Sequence, residues 1–315
     1  MINKTPIMTN EGYNINSAKV NISFPNEFSE FKNMEMNYEN IEFENQKSKI
    51  IEVEYGMGKE ALENIQNHCN HKIIGTTIKK ANLNIVYNLD KENKNLANYI
   101  EIKAMHDANI TIIYKSQDAE SNFVNSILKV EAINKAKVTI NIINLLNKTS
   151  NDYITVESIV EENAKTEINV VDLGSLNSLQ NIYGKALGEN SKVKINSMYM
   201  ANDEEIKDLN YITHLVGKST NVKIDVIGAL NENSKKSFKG TIDFKQGCEK
   251  SKGEEKEHCV LLSKTAVSKA LPILLCNEED VEGAHSSSSR KCRTGTNILY
   301  NDKRVRQKRS YKAFS

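Results

Sequence analysis

The sequence predicts an all-β chain whose core is a parallel β-helix, or solenoid, with a small N-terminal α+β cap. Three observations carry this. A short phrase recurs six times at near-constant spacing, each copy alternates apolar and polar residues, and a second alternating stretch precedes each copy. Self-similarity at a fixed period of 20–50 residues marks a repeat architecture.

The phrase is a small residue followed by alternating apolar positions. It begins at Ala81, Ala108, Ala136, Ala164, Ser191 and Thr220, with spacings of 27, 28, 28, 27 and 29. Four residues further on stand Ile85, Ile112, Ile140, Ile168, Ile195 and Ile224, and the residue before each is polar. A period of two is a strand with one buried and one wet face. Eight positions before each small residue stand Ile73, Ile100, Leu128, Val156, Tyr183 and Ile212. Each unit therefore reads strand, tight turn at the small residue, strand, longer loop. Equivalent strands one period apart stack in parallel, each turn covering its neighbour. The strict period favours this over tandem β-sandwich hairpins. His214 falls in register with Ile212 and Val216 on the inward face, either as a hydrogen-bonded core histidine or in an interior polar column with Lys185.

The chain divides into a cap region (1–70), a β-helix core (71–289) and a basic tail (290–315). The first 70 residues lack the repeat. They hold two strand-like pieces, KVNISF and KIIEVEY, and one helical stretch, GKEALENIQNHC. A solenoid's open end needs covering, and Val86 and Ile113, apolar at otherwise polar outward positions, are where the cap is expected to pack.

Composition excludes several classes. The 315 residues carry a net charge of +1 and five cysteines, with no CxxC pair. An odd count without paired spacing argues against a disulfide framework or structural zinc, and free thiols suit a reducing cytoplasm. No apolar run is long enough to span a membrane, and the N-terminus lacks a secretory pattern. HExxH, GxSxG, P-loop and dinucleotide motifs are missing, so the chain is expected to be no enzyme and to bind no nucleotide.

The charge is unevenly spread. All five arginines lie in residues 290–315, where nine Lys/Arg meet one Asp (9 − 1 = +8); residues 1–289 then hold 33 Lys against 40 acids (33 − 40 = −7). Residues 290–315 read as a different text from the rest. Permitted codons for them, read one nucleotide later, can give ENVEQEQIFYIMTRGLDKKEAIKLL, an acidic stretch followed by an amphipathic helix. A frameshift near Ser289 accounts for this, and the tail as written is expected to be poorly ordered. The rival reading makes Tyr300, Tyr311, Phe314 and the cations a nucleic-acid or anionic-lipid patch; the frameshift reading implies neither partner.

One pair of residues stands out for chemistry. Cys259 and His285 are 26 residues apart, close to one turn of the solenoid. Residues one period apart lie about 5 Å from each other. Thiolate and imidazole suit a soft metal or an iron–sulfur centre, with further ligands coming from a second chain, a thiol or sulfide. The alternative is a buried cysteine packing as a small apolar residue.

SFKGTIDF (237–244) followed by ALPILLCNEEDVEGAH (270–285) resembles the C-terminal part of the SufB/SufD family, scaffold subunits of the SUF iron–sulfur cluster assembly machine. The resemblance extends back over the repeats to about residue 70. It implies a right-handed parallel β-helix, an ABC-type ATPase partner, and pairing with a SufB-like or identical scaffold subunit. It implies that Cys259, in HCVLLS, and His285, in DVEGAH, hold a transient iron–sulfur cluster as metal- and cofactor-binding residues. Ser286 to Ser289 and Arg290 depart from the family's usual small-residue run, and the residues before Cys259 are closer to the SufD type. In the family a helix after the β-helix docks the ATPase, so the altered tail is expected to weaken that contact. The competing functions are a β-helix carbohydrate-active enzyme, which the lack of arginine in the repeats opposes, and a purely structural solenoid.

Overall fold

The computed structural model describes residues 2–8, 15–20, 22–44 and 49–291. Sixty per cent of the described residues are strand, one helix occurs among them, and the strands wind a parallel β-solenoid of about eight turns. The first turn is the long strand β2 (His71–Leu89), which follows β1 (Met34–Phe43) and helix α1 (Lys59–His68). From β2 two walls grow. The A wall continues through β3 (Asn95–Ala104), β5 (Phe123–Ala132), β7 (Asn151–Val160), β9 (Asn177–Ala186), β11 (Ile206–Leu215), β13 (Lys235–Phe244) and β15 (Val267–Cys276). The B wall continues through β4 (Ala108–Ser116), β6 (Lys137–Leu145), β8 (Lys165–Asp172), β10 (Lys192–Ala201), β12 (Asn221–Leu230), β14 (Ser251–Leu261) and β16 (Val281–Lys291).

The small residue marks the corner between the walls. Lys135, Asn163, Asn190, Ser219 and Lys250 adopt left-handed backbone immediately before Ala136, Ala164, Ser191, Thr220 and Ser251. Each of those five small side chains is at most 2% exposed. The sharp turn tucks the small side chain inside the solenoid, where successive turns stack too closely for a large one. The six isoleucines chosen from the repeat are all fully buried. Ile140, Ile168, Ile195 and Ile224 form one column, but Ile112 pairs with Ile142. The register between β4 and β6 is thus two residues longer than the repeat suggests. An even shift keeps the same face inward.

An odd shift does not, and one occurs on the A wall. Val156 pairs with Ile182, and Ile182 with Tyr211. Tyr183 and Ile212, expected inward, therefore face outward. They stay buried because the N-terminal segment lies over them with Met57, Ala61, Leu62 and Ile65. His214 moves with them, outside the solenoid rather than within it. Its ring packs edge-on to Tyr55, its Nδ1 lies 3.1 Å from the Tyr183 hydroxyl, and its Nε2 lies 3.6 Å from Asp243. Burial holds its pKa below the ordinary imidazole value.

The N-terminal region does two jobs. β1 pairs antiparallel with β2 from Met34↔Tyr87 to Phe43↔Gly75 and closes the free edge of the first turn. The remainder straps the A wall. KVNISF and KIIEVEY form no strand in their described residues; GKEALENIQNHC does form α1. The strap is held by wall side chains instead of a ladder: Asn181 donates to the Tyr55 carbonyl, Asn125 to the Ala61 carbonyl, and the Glu54 amide donates to Glu157. Of the two residues expected to meet the cap, Val86 pairs with Glu35 of β1; Ile113 lies on the outer B wall, and neither meets the strap. Of the expected tail (290–315), Arg290 and Lys291 close β16, and residues 292–315 lie outside the described residues.

Candidate functional site

Among the described residues the end of the solenoid away from β1 is open, with β15 and β16 as its last strands. Just inside it, alternation along β14 turns Glu255, Glu257 and Cys259 inward. All three are at most 3% exposed. Buried carboxylates are costly unless paired or protonated, and both solutions appear here.

Glu257 is paired. Its carboxylate accepts from Lys236 Nζ at 2.7 Å, from Ser287 Oγ at 2.6 Å and from the Tyr199 hydroxyl at 3.4 Å. Lys236 comes from the A wall and reaches across the interior, its side chain wholly buried. Glu255 has no cation. Its Oε1 lacks a hydrogen-bond partner, and burial, then the nearby Glu257 carboxylate, pushes its pKa up to about 8. Glu255 is therefore held largely protonated at neutral pH. Gly240 makes room for it: a Cβ there would sit 2.1 Å from Glu255 Oε2.

Cys259 shares a row with Gly228 and Tyr199. A Cβ on Gly228 would lie 2.2 Å from Tyr199 Cζ, so glycine lets the ring cross the neighbouring strand toward Cys259 and Glu257. Burial, then the Cys259 thiol and the Glu257 carboxylate, holds the Tyr199 phenol far above its ordinary pKa. Cys69, Cys248, Cys259 and Cys276 are all free thiols.

His285 lies on β16, the strand next to β14, and shares the inward face with Cys259. The 26-residue spacing does not stack them, because the register here is 30: Cys259 pairs with Ser289 and His285 with Glu255. A four-residue offset is about 13 Å along a strand. His285 is exposed at the open end. Among the described residues no group of three or more His, Cys, Asp and Glu is arranged to hold a metal ion. The geometry brings to Cys259 a carboxylate, a phenol and a buried ammonium, and brings His285 to the protonated Glu255. It is a thiol with proton donors and acceptors beside an open edge. Glu255, Glu257, Tyr199 and Lys236 escaped the sequence reading. The period-two run Glu255, Glu257, Cys259 was the available signal, since it puts acids where the repeat elsewhere puts Ile and Val.

A groove of about 450 Å³ near Ile51, Glu101 and Lys129 lies toward the other end, over the first turns of the A wall, and touches none of these residues. Among the described residues no helix is long and apolar enough to cross a membrane.

No curated protein matches the chain. Residues 87–294, about two thirds of it, match the family described as SUF system FeS cluster assembly, SufBD core domain. The matched span begins in the first turn of the solenoid and runs through the open end that holds Cys259 and His285. The chain therefore belongs to the SufBD core family of the SUF iron–sulfur cluster assembly system.

Proposed function

We propose that the chain is a non-enzymatic scaffold that holds a nascent iron–sulfur cluster at a subunit interface, with Cys259 as its thiolate anchor and His285 as a second, more exposed donor. The cluster is cargo rather than a resident cofactor. The observation that carries this is the setting of Cys259: a free thiol within one turn of the open end, near a carboxylate that can accept a proton and beside a phenol whose hydroxyl can donate a hydrogen bond to the thiolate. A thiolate, not a thiol, binds iron or accepts sulfur. The offset between Cys259 and His285 leaves room for ligands from a second chain, and the edges of β15 and β16, unpaired among the described residues, are a surface on which a SufB-like or identical subunit can add strands.

The ATPase partner is an ABC-type subunit that hydrolyses the nucleotide, since this sequence has no nucleotide motif. Residues 300–315 carry six Lys/Arg in a short window. They offer no apolar helical face for docking, so the chain as written binds that partner weakly, and the shifted reading after Ser289 restores the contact. The test of the function is anaerobic incubation with ferrous iron, a thiol and sulfide, followed by desalting. Iron and acid-labile sulfide should stay with the chain in near-equal amounts. A chain that retains neither, alone or mixed with a second scaffold subunit, is not a cluster scaffold.

A further inference from the structure

The outward face of the B wall is divided lengthwise. One half is polar, with Asn141, Asn169 and Asn196 hydrogen-bonded in a ladder across three strands. The other half is apolar. Val86, Ile113, Ile143, Val171, Met198 and Ile227 follow one another in register across six strands. Beside them Leu145, Leu173 and Met200 form a second row on successive turns. Ile227 is 54% exposed and Met198 and Leu173 47% each. Along a solenoid, outward apolar side chains gain nothing from the core. A contiguous stripe of them marks an interaction surface.

The dimensions select the occupant. From Ile113 to Ile227 the stripe runs about 19 Å at roughly 4.8 Å per strand. Two columns of side chains make it about 12 Å wide, a footprint of roughly 230 Å². That is well below the roughly 800 Å² per partner of a standard interface, so a second copy packed wall to wall would rest mostly on the polar half. An α-helix fits better. It is about 10 Å across, and its 5.4 Å pitch is close to the strand spacing, so one apolar residue per turn can settle between successive strands. The flank nearest the second row adds charge. The turns between β6 and β13 along that edge carry Asp203, Glu204, Glu205 and Glu232 against Lys148. Lys148 pairs with Asp203. Glu204 and Glu232 are exposed; Glu204 accepts from the Asn233 side chain and Glu232 from the Asp203 amide, and among the described residues neither is paired with a cation.

The geometry points to a docking site on the outer B wall for an amphipathic helix of about 14–18 residues from a partner protein, with apolar residues at i, i+3/i+4, i+7 spacing and lysine or arginine on the flank that faces Glu204 and Glu232. The site is separate from the open end and does not depend on cluster binding. Methionine at its centre suits a surface that adapts to a helix.

The probe is a synthetic 18-residue helix with leucine on one face and lysine on one flank, titrated into the full chain labelled at its methionine methyls. The Met198 and Met200 resonances should move on binding. The double substitution Met198→Lys, Ile227→Lys should weaken the affinity at least tenfold, and Glu204→Lys with Glu232→Lys at least threefold. A peptide with glutamate on the flank should bind at least tenfold more weakly than the lysine version. All four side chains are exposed, and circular dichroism confirms that the variants fold. The proposal is overturned if a scrambled peptide of the same composition binds equally, or if the responding methyls are Met34 and Met57 instead. It is also overturned if the unliganded chain is a dimer that Ile227→Lys makes monomeric, which would give the face to a second copy.

Discussion

Tyr199 and Cys259 stand two strands apart in one row of the B wall, and the missing side chain of Gly228 between them lets the phenol reach toward the thiol and Glu257. This three-residue row ties the solenoid's packing to its chemistry. A ring that fills the space over a glycine fixes the hydroxyl near the Cys259 thiol.

Gly228→Ala tests that row. The added Cβ would meet the Tyr199 ring at 2.2 Å, and overpacking of this kind costs about 1–3 kcal/mol. Urea unfolding should show that loss, and retained sulfide should fall with it. A variant with unchanged stability and unchanged sulfide would mean the ring has an equally good alternative position.

Glu255 sets a pH dependence. Its folded pKa, about 8, is above its ordinary value of 4.5. The folded chain keeps a proton that the unfolded chain gives up. Its favourable contribution is therefore complete below pH 4.5 and is lost as pH rises through 8. Glu255→Gln should match the parent in stability near pH 4.5 and exceed it above pH 8, by about 2 kcal/mol or more. Equal pH profiles for the two proteins would show that Glu255 is charged in the folded chain.

Lys236 is wholly buried against Glu257. Lys236→Met leaves a buried carboxylate without its cation and should destabilise the chain by about 3–5 kcal/mol. Adding Glu257→Gln should return most of it. If the double substitution is as unstable as the single one, the methylene chain of Lys236 matters more than its charge.

Gly56 anchors the strap. Its φ is +87°, and a Cβ there would lie 2.0 Å from Asn181 Oδ1. Gly56→Ala combines left-handed strain with a clash, so the strap should loosen at Tyr55 and Asn181. Limited proteolysis should then cut between residues 49 and 58 several-fold faster. Unaltered cleavage would show that the strap's apolar contacts hold it without this turn.

Much of the fold was legible because a solenoid writes its period into the sequence. The corners at Ala136, Ala164, Ser191 and Thr220 and the column Ile140–Ile224 follow from spacing alone. The misplacements come from turns that differ in length. Two extra residues between β4 and β6 left the inward face intact. A single residue between β7 and β9 turned Tyr183, Ile212 and His214 outward, and the strap then buried them, so burial could not reveal the slip. KVNISF and KIIEVEY alternate like strands because apolar side chains of each pack on the A wall, but in KIIEVEY side chains of that wall, not a ladder, take the backbone hydrogen bonds. At the site, Cys259 was visible through the family's pattern. Its partners Tyr199, Lys236 and Glu257 come from three different strands and needed the register to be known. The same register offset Cys259 from His285, which 26 residues of spacing had put side by side.

The most direct test of the Cys259 assignment compares the thiols. Cys69→Ser, Cys248→Ser, Cys259→Ser and Cys276→Ser, each confirmed folded, are reconstituted anaerobically in parallel, and iron and acid-labile sulfide per chain are measured. Cys259→Ser should lose most of both while the other three stay close to the parent. Retention by Cys259→Ser at the parent's level, or equal losses in all four, would contradict the account.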